Sequence, residues 1–175
     1  MGLRSEVINY GSSRVESTSN GFVKEPDGSF GPVHKHWPTV VIESGLSESE
    51  TKLANDARGW LEAPGSETQI VLTINIDRTS PTITFHRWQL DSVEMRRITR
   101  SHCHLGVVVE EVVATRQRNV TEVTGDITLP FSRVTARAPR NAAHTTEHDI
   151  ILTKVALTEI CEKTWPEVLS HGVDG

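Results

Sequence analysis

Residues 38–43 read PTVVIE and residues 69–76 read QIVLTINI, and the segment between them has the apolar spacing of a helix. Both runs are rich in β-branched side chains, which favour buried strands. A strand, a helix and a second strand in this order form a βαβ unit, whose two strands lie parallel in one sheet. Residues 39–76 therefore predict an α/β fold with a central mixed β-sheet flanked by helices.

The helix between these strands is the clearest local prediction. Ser47 and Glu50 have the spacing of a capping box, which satisfies free backbone N–H groups at a helix start. Apolar residues then follow at helical spacing, namely Leu53, Ala57, Trp60 and Leu61. The break Ala63-Pro64-Gly65 ends the pattern, so we expect a helix over residues 47–62.

Further elements are predicted on both sides of this unit. The segment FVKEPDGSFGP, residues 22–32, indicates a strand that pairs with residues 39–45. More strands are predicted over 82–88, 107–113 and 127–131, with residues 77–81 short enough for a hairpin loop. Residues 149–165 have helical spacing, and Pro166 is expected to stop that helix.

Length and composition fit one domain. The chain has 175 residues, of which 36% are hydrophobic, enough for a core without disulfides. Residues 1–20 are rich in Ser, Gly and Asn and predict a weakly ordered N-terminal segment, with a strand beginning near Arg14. We expect a single domain over 21–166 and a C-terminal tail over 167–175.

Cysteine usage and hydropathy indicate an intracellular protein. Cys103 and Cys161 lie far apart and form no CxxC pair, so neither a disulfide framework nor a thiolate zinc site is expected. The N-terminal residues lack the apolar stretch of a signal peptide, and nowhere do about 18 apolar residues run together. The sequence predicts a soluble nuclear or cytoplasmic protein with no membrane partner.

The charge limits how nucleic acid could be bound. A net charge of −5 argues against a generally basic coat, because phosphate binding relies on Lys and Arg. Any nucleic-acid contact must therefore be local. Arginines do cluster, at Arg96, Arg97 and Arg100 and again at Arg116, Arg118, Arg133, Arg137 and Arg140. A solvated surface is the more common setting for such residues.

Asp27 and Glu43 are the candidate metal ligands. Glu43 ends a buried apolar run, where an unpaired carboxylate costs several kcal/mol, so a metal, another cation or exposure at the sheet edge is expected. Asp27 comes from the neighbouring strand segment. Two converging carboxylates provide oxygen ligands suited to Mg²⁺ or Mn²⁺. A turn aspartate and an exposed strand-end glutamate are the alternative interpretations.

The order of these motifs resembles the PD-(D/E)XK nucleases. The likeness is closer to a fungal group of such proteins, which is related to bacterial proteins assigned as restriction endonucleases. The matching segments are KEPD at 24–27, PTVVIE at 38–43, Ser-Glu-Ser at 47–49 and DARGWL at 56–61. The likeness continues with Trp88, residues 129–131 and residues 149–151, so it spans about residues 22–165.

This resemblance implies a restriction-endonuclease-like core in which Asp27 and Glu43 bind Mg²⁺ or Mn²⁺. The ion would activate water and stabilise charge on a phosphodiester, as expected of a metal-dependent endonuclease acting on DNA. The implied partner is nucleic acid. A homodimer is a further expectation, because many nucleases of this fold work as dimers.

One position departs from the family pattern. A lysine normally stands two residues after the glutamate, on the same face of the strand, but here that residue is Gly45. Lys52 and Arg58 on the predicted helix are candidate replacements, and Lys24 and Lys35 are further alternatives. Arginine stabilises phosphate charge but cannot act as a base at neutral pH. Gly45 thus leaves a second interpretation open, a catalytically degenerate nuclease-fold module that binds nucleic acid or protein.

Overall fold

The computed structural model describes residues 6–16, 22–46, 50–93, 103–142 and 145–170. The strands are β1 Val7–Asn9, β2 Val15–Glu16, β3 Val23–Lys24, β4 Gly28–Pro32, β5 Val40–Leu46, β6 Ile70–Asp77, β7 Thr82–Val93, β8 Cys103–Gln117, β9 Val120–Val123, β10 Ile127–Leu129, β11 Asn141–Ala142, β12 Thr145–Thr146 and β13 Ile150–Leu152. The helices are α1 Glu50–Glu62, α2 Phe131–Thr135 and α3 Lys154–Ser170. None of these helices is both long and apolar enough to cross a membrane.

Seven of the described strands form one sheet, in the order β1-β4-β5-β6-β7-β8-β9. β5 and β6 are parallel, from Val40 opposite Ile70 to Leu46 opposite Ile76. The other neighbouring strands are antiparallel. α1 connects the parallel pair, since parallel strands need a crossover rather than a tight turn. The predicted α/β fold, with a central mixed sheet flanked by helices, is confirmed.

α1 covers one face of the sheet, which we call the α1 face. The four apolar positions predicted from the helical spacing are all buried. Because side chains alternate along a strand, Val41 and Val71 point toward α1 while Val40 and Ile70 point away. The cluster on the α1 face contains Val15, Trp37, Val41, Ala57, Trp60, Leu61, Val71 and Trp88.

The opposite face packs against α2, α3 and the antiparallel pair β10–β13. Ile127 pairs with Leu152 in that pair, and Leu157, Cys161 and Trp165 of α3 are fully buried. An apolar cavity of about 400 Å³ lies within this layer. Burial on both faces explains why β6 begins with a continuous apolar run rather than an alternating one.

A bulge shapes the longest strand pair, β7 and β8. The register shifts between Arg87 and Trp88, so Trp88 pairs with Val108 and Arg87 with Glu110. The extra residue in β8 lets Val108 and Glu111 both reach the α1 face, although they stand three positions apart in the sequence. The bulge therefore helps to build the wall of the cleft described below.

The predicted C-terminal helix differs from the observed one. Ile150–Leu152 form β13, and α3 begins at Lys154 and continues through Pro166 to Ser170. The predicted helix is confirmed over residues 154–165, but its start at residue 149 and its stop at Pro166 are wrong. Pairing with β10 holds residues 150–152 extended, a tertiary effect that local spacing does not reveal. The predicted tail boundary after residue 166 falls inside α3.

The N-terminal residues join the sheet. Residues 6–16 lie in the segment for which the sequence predicts weak order, and β1 pairs with β4 at the sheet edge. The Tyr10 hydroxyl lies 2.7 Å and 2.6 Å from the carbonyl oxygens of Pro32 and Lys35. The strand predicted near Arg14 is β2. Ser47 of the predicted capping box lies outside the described residues.

Candidate functional site

Glu43 lies on the α1 face of β5 with only 7% of its surface exposed. The indole N–H of Trp60 donates a hydrogen bond to its Oε1. The Lys24 Nζ lies 3.1 Å from the same oxygen. Burial raises the pKa of Glu43, while the Trp60 hydrogen bond and the Lys24 charge oppose this shift. The carboxylate is thus held by a neighbouring cation and a hydrogen-bond donor from the chain itself.

Lys24 bridges two carboxylates. Its Nζ lies 2.8 Å from Oδ1 of Asp56 and 3.3 Å from the Asp56 carbonyl oxygen. It also lies 5.4 Å from the centre of the Trp60 ring, within reach of a cation–π interaction. Asp56 and Trp60 stand four residues apart on α1, so both face the same side. We call Lys24, Glu43, Asp56 and Trp60 the Lys24 cluster.

Asp27 has a separate partner. It lies directly before β4, beside the paired residues Gly28 and Ile42, and its side chain is exposed. Its Oδ2 accepts hydrogen bonds from the Ser44 backbone N–H at 2.6 Å and the Ser44 hydroxyl at 2.7 Å. Asp27 therefore binds to Ser44, whereas Glu43 binds to Lys24 and Trp60.

Each of the two carboxylates has a partner from the chain itself. Lys24 and Trp60 both contact Oε1 of Glu43, and Ser44 contacts Oδ2 of Asp27, so an ion shared by the two carboxylates would lie close to the Lys24 ammonium. Among the residues that the structure describes, no three His, Cys, Asp or Glu side chains lie close enough together to hold a metal. Mg²⁺ or Mn²⁺ binding by Asp27 and Glu43 therefore remains a prediction.

The basic residue beside Glu43 is not one of the two preferred from the sequence. Lys52 and Arg58 are both exposed on α1. Arg58 instead lines a cleft farther along the same face. Lys24, one of the two further alternatives, is the lysine that contacts Glu43.

Carboxylates engage much of the second arginine cluster. Arg137 forms a fork with two donors to Glu147, each at 2.7 Å, and also binds Glu6. Arg140 lies 3.5 Å from Glu6, and Arg116 lies 3.8 Å from Glu162. Arg118 is exposed and Arg133 is half-buried, whereas Arg96, Arg97 and Arg100 lie outside the described residues. The guanidinium groups of Arg116, Arg137 and Arg140 already pair with carboxylates. They are therefore less available to bind phosphate.

A cleft of about 350 Å³ opens on the α1 face next to the Lys24 cluster. It lies between the first half of α1 and the strands β6, β7 and β8. Its lining is Glu50, Thr51, Leu53, Ala54, Asn55, Arg58, Thr73, Asn75, His86, Trp88 and Val108. Thr73 pairs with Glu43 across the parallel strands, so the cluster and the cleft are neighbours.

The polar groups on the cleft wall differ in whether they have hydrogen-bond partners among the described residues. The Trp88 indole N–H donates to the Thr73 hydroxyl at 3.0 Å, and the His86 Nε2 lies 2.8 Å from a Glu111 oxygen. Asn75 Oδ1 is buried and has no hydrogen-bond partner within the described ranges. Leaving a buried acceptor unpaired costs about 1–3 kcal/mol. Asn75 is therefore a group suited to meet a ligand donor.

Of the cleft lining, only Arg58 is a candidate site residue from the sequence, and Asp56 has no role there beyond its place in a matching segment. A signal was present, because alternation in QIVLTINI places Thr73 and Asn75 on one face of an otherwise apolar strand. Polar residues on a buried face require partners. The contribution of His86 could not be read in this way, since it depends on the pairing of β7 with β6.

Comparisons with protein-family models, with curated proteins and with solved structures found no match to this chain.

Proposed function

We propose that the chain is a non-catalytic binding module. The observation that carries this proposal is the Lys24 ammonium 3.1 Å from Glu43, where it already provides the positive charge that the buried carboxylate needs. A second carboxylate, Asp56, holds Lys24 in place at 2.8 Å. An internal cation held on two sides competes with any divalent ion for Glu43.

Gly45 supports the same proposal. It stands where the nuclease motif has its lysine, and a residue without a side chain can neither orient water nor stabilise a leaving group. We retain the restriction-endonuclease-like core as part of the proposal on the strength of the motif order alone. A fold can outlast the activity of its ancestors, so the resemblance and the loss of catalysis are compatible.

The mode of binding follows from where the charges are. Arg116, Arg137 and Arg140 pair with carboxylates, so they do not form a free basic face for a phosphate backbone. The cleft beside the Lys24 cluster instead offers a concave surface with both apolar and polar walls, as small-ligand sites do. We propose the cleft as the binding surface of the module.

A metal-dependent endonuclease acting on DNA is the second candidate. It is favoured by the meeting of Lys24, Glu43 and Asp56, which come from three of the segments that resemble the nuclease family. Lys24 would then replace in space the lysine missing at position 45. A homodimer belongs to this second proposal as well.

A cleavage assay separates the two candidates. Single- and double-stranded DNA are incubated with Mg²⁺ or Mn²⁺ and wild type, the Asp27→Asn/Glu43→Gln double variant, or the control Asp77→Asn, which alters a half-exposed aspartate at the end of β6. We expect no metal-dependent cleavage from any of the three proteins. Cleavage by wild type and the control that is lost in the double variant would overturn the binding-module proposal in favour of the nuclease.

A further inference from the structure

The inner wall of the cleft presents one unsatisfied amide. Asn75 lies on β6 opposite Gly45 of β5, so its side chain emerges where the neighbouring strand contributes no bulk. Its buried Oδ1 accepts no hydrogen bond from the described residues. A carboxamide can pair with a ligand that carries a donor next to an acceptor, and the amino group and ring N7 of adenine form such an edge.

The neighbouring walls suit a flat ring. Leu53 and Ala54 of α1 lie on one side, and Trp88 and Val108 of the sheet on the other. Trp88 is 7% exposed and its indole N–H is already bonded to Thr73, so it contributes apolar surface to the cleft. Bases pack against aromatic and apolar side chains. The volume of about 350 Å³ is in the range of small-molecule sites.

The mouth of the cleft carries charges that fit the remainder of a nucleotide. Arg58 is exposed at the rim, where a guanidinium group can bind a phosphate through two parallel hydrogen bonds. Glu50, also exposed at the rim, can accept hydrogen bonds from sugar hydroxyls. Asn55, which lies between Glu50 and Arg58 in the sequence, adds an uncharged polar side chain to the cleft lining. The Thr73 side chain and the Asn75 Oδ1 are buried, whereas Glu50 and Arg58 are exposed, as a nucleotide with a buried base would require.

We propose that this cleft binds an adenine nucleotide, with the base edge at Asn75 and the phosphate at Arg58. The proposal rests on the binding-module function and names its ligand class. The nucleotide can be free or part of a single strand, because both present the same base and phosphate.

Titration calorimetry with AMP, with adenosine and with a short single-stranded oligo(dA) tests the site. We expect AMP to bind wild type, and Asn75→Leu to weaken both AMP and adenosine about tenfold, since each loses the base contact. Arg58→Met should weaken AMP about fivefold or more and leave adenosine unchanged. Arg78→Met, at an exposed arginine on the β6–β7 turn, is the matched control and should change neither. Tighter binding of oligo(dA) than of AMP would assign the site to single strands.

A second variant keeps the cleft proposal testable if Asn75→Leu fails to fold. Ala54→Trp enlarges a partly exposed α1 residue on the cleft wall and should abolish AMP binding while the circular dichroism spectrum remains that of wild type. Absence of binding by all three probes at millimolar concentration, or equal AMP affinity in wild type and Asn75→Leu, would overturn the cleft proposal. Neither result would restore the nuclease candidate, which only the cleavage assay can do.

Discussion

Lys24 is the residue on which the charged site depends. It joins β3 to β5 and α1, and it contacts Glu43 and Asp56 at once. Two features could be anticipated from the sequence: a carboxylate ending a buried strand, and the need for a cation beside it. The identity of the cation could not, because Lys24 and Asp56 are 32 residues apart and meet only when β3 lies over α1.

Removing the Lys24 charge should destabilise the protein. Lys24→Met leaves Glu43 buried without its cation, and we expect a loss of roughly 2–4 kcal/mol in the free energy of unfolding. Lys35→Met is the matched control, since the Lys35–Glu67 pair is exposed and should contribute about 1 kcal/mol or less. Urea unfolding monitored by tryptophan fluorescence measures both.

The double variant Lys24→Met/Glu43→Gln tests whether the loss comes from the unpaired Glu43 charge. It should recover much of the loss, because the uncompensated charge is gone. If Lys24→Met costs no more than Lys35→Met, or if the double variant is no more stable than Lys24→Met, the ion-pair assignment is contradicted.

A second charged contact predicts a pH dependence. Hydrogen bonds from the Arg137 guanidinium and the Arg140 backbone N–H lower the pKa of Glu147 from 4.5 to about 2. A carboxyl group with a lowered folded-state pKa stabilises the fold above its unfolded pKa and loses that contribution as pH falls through the folded value. The stability of wild type should therefore fall between pH 4.5 and 2, and Glu147→Gln should flatten that slope.

Unfolding midpoints measured across this pH range test the Glu147 contact. Glu122→Gln, at an exposed glutamate of β9, is the control substitution. Parallel slopes for wild type and Glu147→Gln would contradict the account.

At the scale of elements, α1 places two partners of Lys24 one turn apart and forms one wall of the cleft. Its apolar spacing predicted both its existence and its buried face, because a helix that packs on a sheet needs one continuous apolar stripe. Short strands such as β1 and β13 gave no comparable signal. A strand of three residues is too short to show an alternation of apolar and polar side chains. β1 and β13 are extended because they pair with β4 and β10.

The glycines at two elements should respond in opposite ways. Gly59 lies inside α1, and an added Cβ would have no neighbour within 4 Å, so Gly59→Ala should raise stability by about 0.5–1 kcal/mol. At Gly31 on β4 a Cβ would lie 3.1 Å from the Thr39 backbone nitrogen, so Gly31→Ala should lower stability by about 1–3 kcal/mol. Thermal unfolding of both variants checks the packing, and a shift of the same sign in both would count against it.

For the whole molecule, the centre of the sheet, from β4 to β7, could be predicted from local patterns, whereas the places of β1, β8 and β9 could not. The parallel β5–β6 pair and the β6–β7 hairpin followed from apolar runs and short loops. The cleft could not be predicted in this way, because it depends on the bulge in β8 and on long-range contacts between α1 and three strands. As the strand patterns predict, Asp27 lies beside the strand that pairs with the strand of Glu43, directly before β4, but the two side chains bind different partners.

The most direct test of the central claim is urea unfolding with and without about 10 mM Mg²⁺ at matched ionic strength, because an ion that binds only the folded state raises its stability. With Lys24 already beside Glu43, we predict the same unfolding midpoint in both solutions. A midpoint that Mg²⁺ raises in wild type but not in Glu43→Gln would show that Glu43 binds the metal and would contradict the account.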